Sequence, residues 1–189
     1  MILTKNTFRK KCLNKMKNSS KINPIHLQNT INNKLQKELK NIKNKNILLY
    51  YPLAIEADIR KTIISLRKNN NVFIPFMENE SFKIVPFRLP LQKKKFGIYE
   101  AGNSLKRIKN IDIAIVPVVG VDGHLQRVGF GKGMYDRFFE KLHKKPYTIF
   151  IQPKLCHTKE YICDHYDVQG DLLLSSNSQS VKNRKIDVK

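Results

Sequence analysis

Residues 111–122 read IDIAIVPVVGVD, with nine uncharged, mostly apolar positions between Asp112 and Asp122. A strand of this composition has no polar side to offer water, so both its faces must be covered. That requirement points to a central sheet packed between helices. Other segments fit the same plan. NILLYYPL, NVFIPFM, FKIVPFR, YTIFIQP and DLLLSS are short apolar runs bounded by proline or polar residues, and they predict strands. Between them, residues 4–18 space Phe8, Cys12, Leu13 and Met16 on one helical face. Residues 25–43 do the same with Ile31, Leu35, Leu39 and Ile42. Residues 56–69 place Ile59, Ile63, Ile64 and Leu66 inward, and residues 132–145 continue as a helix. Asn23-Pro24 separates the first two helices, and residues 89–105 read as loop. The expected fold is α/β, a three-layer sandwich whose mostly parallel sheet carries helices on both faces. One domain spans 1–176, and 177–189 form a polar, frayed tail.

The chain has 189 residues, 41% of them hydrophobic, which is enough for a single packed core. The N-terminus carries charge where a secretory leader needs an apolar run, and no charge-free stretch is long enough to span a membrane. A cytoplasmic protein without a membrane partner is expected. Cys12, Cys156 and Cys163 are odd in number and show no CxxC, which fits free thiols. Cys156, His157, Cys163 and His165 cluster but lack zinc-site spacings. Ser175 and Ser176 lack the motif of an activated nucleophile.

The net charge is +21. A polyanionic partner is one reading. Enrichment of Lys, Asn and Ile together, all with AT-rich codons, is the other and favoured one, so no obligatory nucleic acid is expected. The charge still attracts small polyanions such as nucleotides.

The segment QRVGFGKGMYDRFF follows the apolar strand and opens a helix. Glycines at 129, 131 and 133 let backbone N–H groups approach a ligand. Arg127 and Lys132 add charge, and a helix start adds N–H groups. Asp136 stands one helical turn past Lys132, where it can help hold Mg²⁺ beside a phosphate. The segment is neither GxxxxGK[ST] nor GxGxxG. On spacing alone, a polyphosphate cradle and a glycine-rich surface turn both stay open.

Taken whole, Pro117, Asp122, Arg127, Gly129, Gly131, Gly133, Tyr135, Asp136 and Arg137 resemble the signature of the 5-formyltetrahydrofolate cyclo-ligases, also called methenyltetrahydrofolate synthetases. Lys5 and Arg9 match a K-x-x-x-R element near the N-terminus, and EADI (Glu56 to Ile59) and GIYEA (Gly97 to Ala101) match two more. HYDVQGDLLLS, with Asp167, Asp171 and Ser175, matches a C-terminal element, so the resemblance covers about residues 4–176. Met134, Ile59, Ala101 and Tyr166 depart from the family pattern.

The resemblance implies conversion of 5-formyltetrahydrofolate, in polyglutamylated form or not, to 5,10-methenyltetrahydrofolate with ATP and Mg²⁺. It implies that Lys5, Arg9, Arg127 and Lys132 hold phosphates, with Gly129, Phe130, Gly131, Gly133, Met134 and Tyr135 around them. Arg127, Lys132 and Glu56 are the implied catalytic residues. Asp136 and Asp167 are the implied metal ligands. Tyr51, Glu56, Glu100, Phe130 and Met134 are the implied folate contacts. Taken alone, Tyr51 reads equally as a buried strand residue and Asp167 as a turn cap, while Glu100 reads first as a surface acid. A monomer is expected. The alternatives are a related ATP-binding enzyme with another substrate and a basic RNA-binding protein.

Overall fold

The computed structural model describes residues 3–21, 24–94, 98–104, 108, 110–176 and 181–183. The apolar run becomes β6 (Ile113–Pro117), buried at every position and lying centrally in a seven-stranded sheet. The sheet is completed by β1 (Asn46–Leu48), β2 (Asn71–Glu78), β3 (Ser81–Pro86), β9 (Tyr147–Gln152), β10 (Leu172–Ser175) and β11 (Val181–Lys182). Its order is β11-β10-β9-β6-β1-β2-β3, parallel throughout except for β3 and β11 at the two edges. Val181–Lys182 thus form an edge strand inside the segment where the sequence suggests only a polar tail.

Alternation along the strands sorts the core into two layers. Ile113, Ile115, Ile149, Ile151, Leu172 and Leu174 point to one face. Ile31 and Leu35 of α2 (Pro24–Glu38) and Ile63 and Leu66 of α3 (Arg60–Leu66) cover that face. Ala114, Val116, Phe150 and Leu173 point to the other, against Phe138 of α4 (Met134–Glu140). Phe82 of β3 stacks on Phe138 with ring centroids 4.4 Å apart. This is the three-layer α/β sandwich expected from the unbroken run.

The helix α1 (Lys5–Lys21) lies apart from both layers. Its Phe8, Cys12 and Met16 pack with Val119, Val128 and Cys156 over the loops at the carboxyl ends of the strands. Cys12 and Cys156 form a disulfide, which corrects the expectation of three free thiols. Cysteines 144 positions apart give no sign in sequence that they meet. Cys163 is the free one, and burial, together with the Asp122 and Asp167 carboxylates, pushes its thiol well above the ordinary range.

Three local readings change. Ile64 is 45% exposed, because Ile63 and Leu66 fill the buried side of α3 and the helical period turns Ile64 away from it. The helix α2 stops at Glu38, although Leu39 and Ile42 stay in the core. Within residues 89–105, β4 (Gln92–Lys93) pairs with β5 (Tyr99–Glu100). Gly97 of the GIYEA element lies outside the described residues.

The sheet reverses its direction of winding between β1 and β6. From β1 the chain moves through α3 to β2. From β6 it moves the opposite way, to β9 and β10. The crevice outside the carboxyl ends at such a point is where α/β sheets bind ligands. The loop after β1 carries Glu56, and the segment after β6 leads to the glycines.

Candidate active site

After β6 the chain makes a short hairpin, β7 (Gly120–Val121) with β8 (Arg127–Val128), before the glycines begin. Asp122 holds the hairpin turn. It is fully buried, and it accepts from the amides of His124 at 3.0 Å, Gln126 at 2.9 Å and Cys163 at 3.2 Å. A carboxylate with three backbone donors locks the loop entry.

Arg127, the first residue of β8, is 5% exposed. Its Nε donates to the Pro117 carbonyl at 3.3 Å, and its guanidinium lies 3.5 Å from Asp136 Oδ2 and 4.9 Å from the Tyr135 ring centroid. A buried guanidinium requires such partners. Its path also dictates the neighbouring residue, because a Cβ on Gly129 would fall 2.3 Å from Arg127 NH1. Gly131 is required for another reason, its φ of +101°.

These residues form one wall of a cavity of about 480 Å³. Lys5 and Arg9, one helical turn apart on α1, line it as well. Arg9 Nε donates to the Gly129 carbonyl at 2.9 Å. The Lys5 ammonium bonds the Asp167 carboxylate and stands 3.1 Å from Asp164 Oδ2. Burial lowers the Lys5 pKa, but the bonds to Asp167 and Asp164 outweigh it, and the net shift is upward. Asp136 and Asp167 both line the cavity. Asp136 Oδ1 also accepts from the Val168 amide at 3.2 Å, and Asp167 Oδ2 from the Asp164 amide at 2.7 Å.

The structure therefore brings Lys5, Arg9, Arg127, Gly129, Gly131, Gly133, Asp136 and Asp167 to one cavity. The remaining sequence candidates sit elsewhere. Lys132 is exposed and outside the lining, while its carbonyl accepts from Arg137 at 2.6 Å. Phe130 packs with the α1 cluster, and Met134 and Tyr135 pack against the α4 layer. Tyr51 lies with its ring 5.3 Å from that of Tyr99, against the core. Glu100 is 4% exposed and accepts from the Met77 amide at 3.1 Å, joining β5 to β2. It is thus a buried acid, not a surface one.

Glu56 occupies the loop after β1. Its Oε2 accepts from the Leu53 amide at 2.8 Å, and it borders a small cavity of about 50 Å³ with Ser19, Gln28 and Pro153. Burial pushes its carboxyl up to about 7, against the opposing pull of the Leu53 amide and the Arg127 charge. Glu56 does not line the larger basic cavity.

Sequence reasoning assigned no role to Arg137, Glu140, His165 or Tyr166, which also line the cavity. Arg137 stood in the signature and was available. It braces the loop, donating to the Glu80 carbonyl at 2.9 Å as well as to Lys132. Among the described residues no three His, Cys, Asp or Glu side chains group as a metal site. Among them, too, no helix is long and apolar enough to cross a membrane.

The model of the 5-formyltetrahydrofolate cyclo-ligase family matches residues 2–171. The chain belongs to that family. A 5-formyltetrahydrofolate cyclo-ligase of Mycoplasma pneumoniae is 29% identical over 174 residues, 92% of this chain and 99% of that protein. One from Mycoplasma genitalium is 26% identical over 177 residues, covering 92% and 98%. The solved 5,10-methenyltetrahydrofolate synthetase of Mycoplasma pneumoniae superposes with a TM-score of 0.68 at 27% identity, covering 93% of this chain and 100% of that one. The Aquifex aeolicus 5,10-methenyltetrahydrofolate synthetase shares the fold, with a TM-score of 0.79 at 24% identity over 97% and 94% of the two chains. As a cyclo-ligase family member the chain is a ligase of folate metabolism, and its small-molecule substrate is a folate. The cyclo-ligase signature, from Pro117 to Arg137, runs from the end of β6 into α4, through the cavity wall.

Proposed function

We propose that this cyclo-ligase converts 5-formyltetrahydrofolate to 5,10-methenyltetrahydrofolate with ATP and Mg²⁺, releasing ADP and phosphate. The observation that carries this reading is the cavity beside β6. There Lys5, Arg9, Arg127 and Arg137 meet Asp136 and Asp167 around the glycine loop, in a member of this family.

The chemistry explains why such a cavity is needed. A formamide carbon is a poor electrophile, and its oxygen is a poor leaving group. Transfer of the γ-phosphoryl group to the formyl oxygen makes that P–O bond and breaks the bond to ADP. N10 of the folate then attacks the formyl carbon and loses its proton. Cleavage of the C–O bond expels phosphate and leaves the methenyl bridge.

The protein's tasks are positioning and charge stabilisation. Arg127 is buried and held by Pro117 and Asp136, so its charge stands in place before the nucleotide arrives. Lys5, Arg9 and the backbone around Gly129 and Gly131 complete the phosphate cradle in this reading, with Lys132 approaching from solvent. Asp136 and Asp167 fit Mg²⁺, which takes one or two carboxylates and completes its shell with water and phosphate oxygens. When bound, the ion offsets the charge of the phosphate oxygens. Glu56, with a carboxyl near 7, faces the folate beside the formyl group. Phe130, Met134 and Tyr51 would shape the remaining folate contacts, while Glu100 braces β5 against β2. We place the enzyme as a cytoplasmic monomer that needs neither nucleic acid nor a membrane.

The test is absorbance at the methenyltetrahydrofolate band with purified protein, Mg-ATP and 5-formyltetrahydrofolate. An ATP-dependent rise, lost in Asp136→Asn, supports the reading. ATP binding without a rise would assign the cavity to another substrate, and retention of the full rate by Asp136→Asn would remove Asp136 from the machinery.

A further inference from the structure

Among the described residues, Tyr166 and His165 are the only aromatic side chains that line the large cavity, and phosphate binding does not explain the presence of Tyr166 there. Tyr166 is 62% exposed. An exposed ring normally sweeps through solvent, but this one is tethered at two points. Its hydroxyl donates to Asp164 Oδ2 at 2.9 Å, and the Lys5 ammonium stands 5.6 Å from its ring centroid. Lys5 in turn is fixed by Asp164 and Asp167. Asp136, Arg137 and Glu140 of α4, which also line the cavity, contribute charged groups.

A nucleotide has two unlike ends. The glycine loop, Arg9 and Arg127 suit the phosphate end. The base needs a flat apolar face, because hydrogen bonds along its edges leave its rings in water. We propose that Tyr166 is the platform on which the base of the nucleotide stacks. The proposal rests on the reading of this cavity as the ATP site. The cavity of about 480 Å³ falls in the size range of small-ligand sites. The tether to Asp164 pre-positions the ring, so little side-chain freedom is lost when the base arrives. Stacking uses the π-face that every base possesses, so Tyr166 sets affinity for nucleotides over bare polyphosphate more than it selects one base. The bland alternative is that Tyr166 only steers Asp164 and, through it, Lys5.

Equilibrium binding to the full chain separates these accounts, with Mg-ATP and Mg-tripolyphosphate as the two probes. For Tyr166→Ala the dissociation constant for ATP should rise about tenfold, in line with the loss of one stacked base, while that for tripolyphosphate stays unchanged. Tyr166→Phe keeps the ring and loses the bond to Asp164, and it should weaken ATP binding far less than Tyr166→Ala. Equal weakening of both probes in Tyr166→Ala would overturn the platform in favour of the steering role. So would damage in Tyr166→Phe as large as in Tyr166→Ala, and unchanged ATP affinity in Tyr166→Ala would overturn it outright. If the parent chain binds neither probe, the nucleotide reading of the cavity fails first and takes the platform with it.

Discussion

Arg9 Nε donates to the carbonyl oxygen of Gly129 at 2.9 Å, tying the first helix to the glycine loop across 120 positions of sequence. The bond uses the one backbone group of Gly129 that repels phosphate. With that carbonyl engaged by a cation, its negative end is masked from an incoming anion. A charge-assisted bond of this kind is worth about 1.5–3 kcal/mol.

Removing it should act on the nucleotide alone. Arg9→Ala is expected to raise the KM for ATP by about tenfold or more, with the KM for the folate nearly unchanged. Steady-state kinetics with each substrate varied in turn checks this. An equal rise in both constants would show that Arg9 supports the whole fold and not the phosphate wall.

Glu56 should leave a mark on the pH dependence of stability. Its carboxyl is raised from 4.5 to about 7 by burial, so between those values the folded state holds a proton that the unfolded state has released. Stability is therefore complete below about 4.5 and falls as pH rises through 7. The loss amounts to about 3 kcal/mol at most, at about 1.4 kcal/mol per pKa unit. Glu56→Gln keeps an acceptor for the Leu53 amide and carries no charge. Urea unfolding at pH 5 and pH 8 should show a smaller drop for Glu56→Gln than for the parent chain. An identical drop in both would assign the pH dependence to other groups.

The Cys12–Cys156 disulfide closes a span of 144 positions. In the chain-entropy account such a loop stabilises by up to about 5 kcal/mol. Dithiothreitol should lower the urea midpoint of the parent chain and leave that of Cys12→Ser unchanged. A midpoint indifferent to reductant would mean that the two thiols stay apart in solution.

The layers of this fold were legible because strand alternation and helix spacing are local. Ile113 and Ile115 fall on one face, Ala114 and Val116 on the other, and the run itself demanded two covers. The glycine loop was legible for a similar reason, since Arg127, the glycines and Asp136 lie within ten positions. The pairing of Lys5 with Asp167 was not, because nothing in either segment names its partner 162 positions away. Glu100 misled for a different reason. Its burial follows from β5 docking on β2, a tertiary contact that overrides the usual exposure of an acid. Likewise, Ile64 looks like a core residue by composition, but the helical period places it away from the side of α3 that Ile63 and Leu66 bury.

Lys5 and Arg9 stand near the start of the chain, and Asp164, Tyr166 and Asp167 near its end. The β7–β8 hairpin that opens the glycine loop is closed locally, but the loop is also held by Arg9 and by the segment from Cys163 to Val168. The rest of the lining exists only after contacts spanning 159 and 162 positions have closed, and closing such spans costs loop entropy. A chain whose C-terminal segment is not yet in place lacks His165, Tyr166 and Asp167, and with them part of the cavity lining. The cavity is therefore a product of the finished fold, assembled from both ends of the chain.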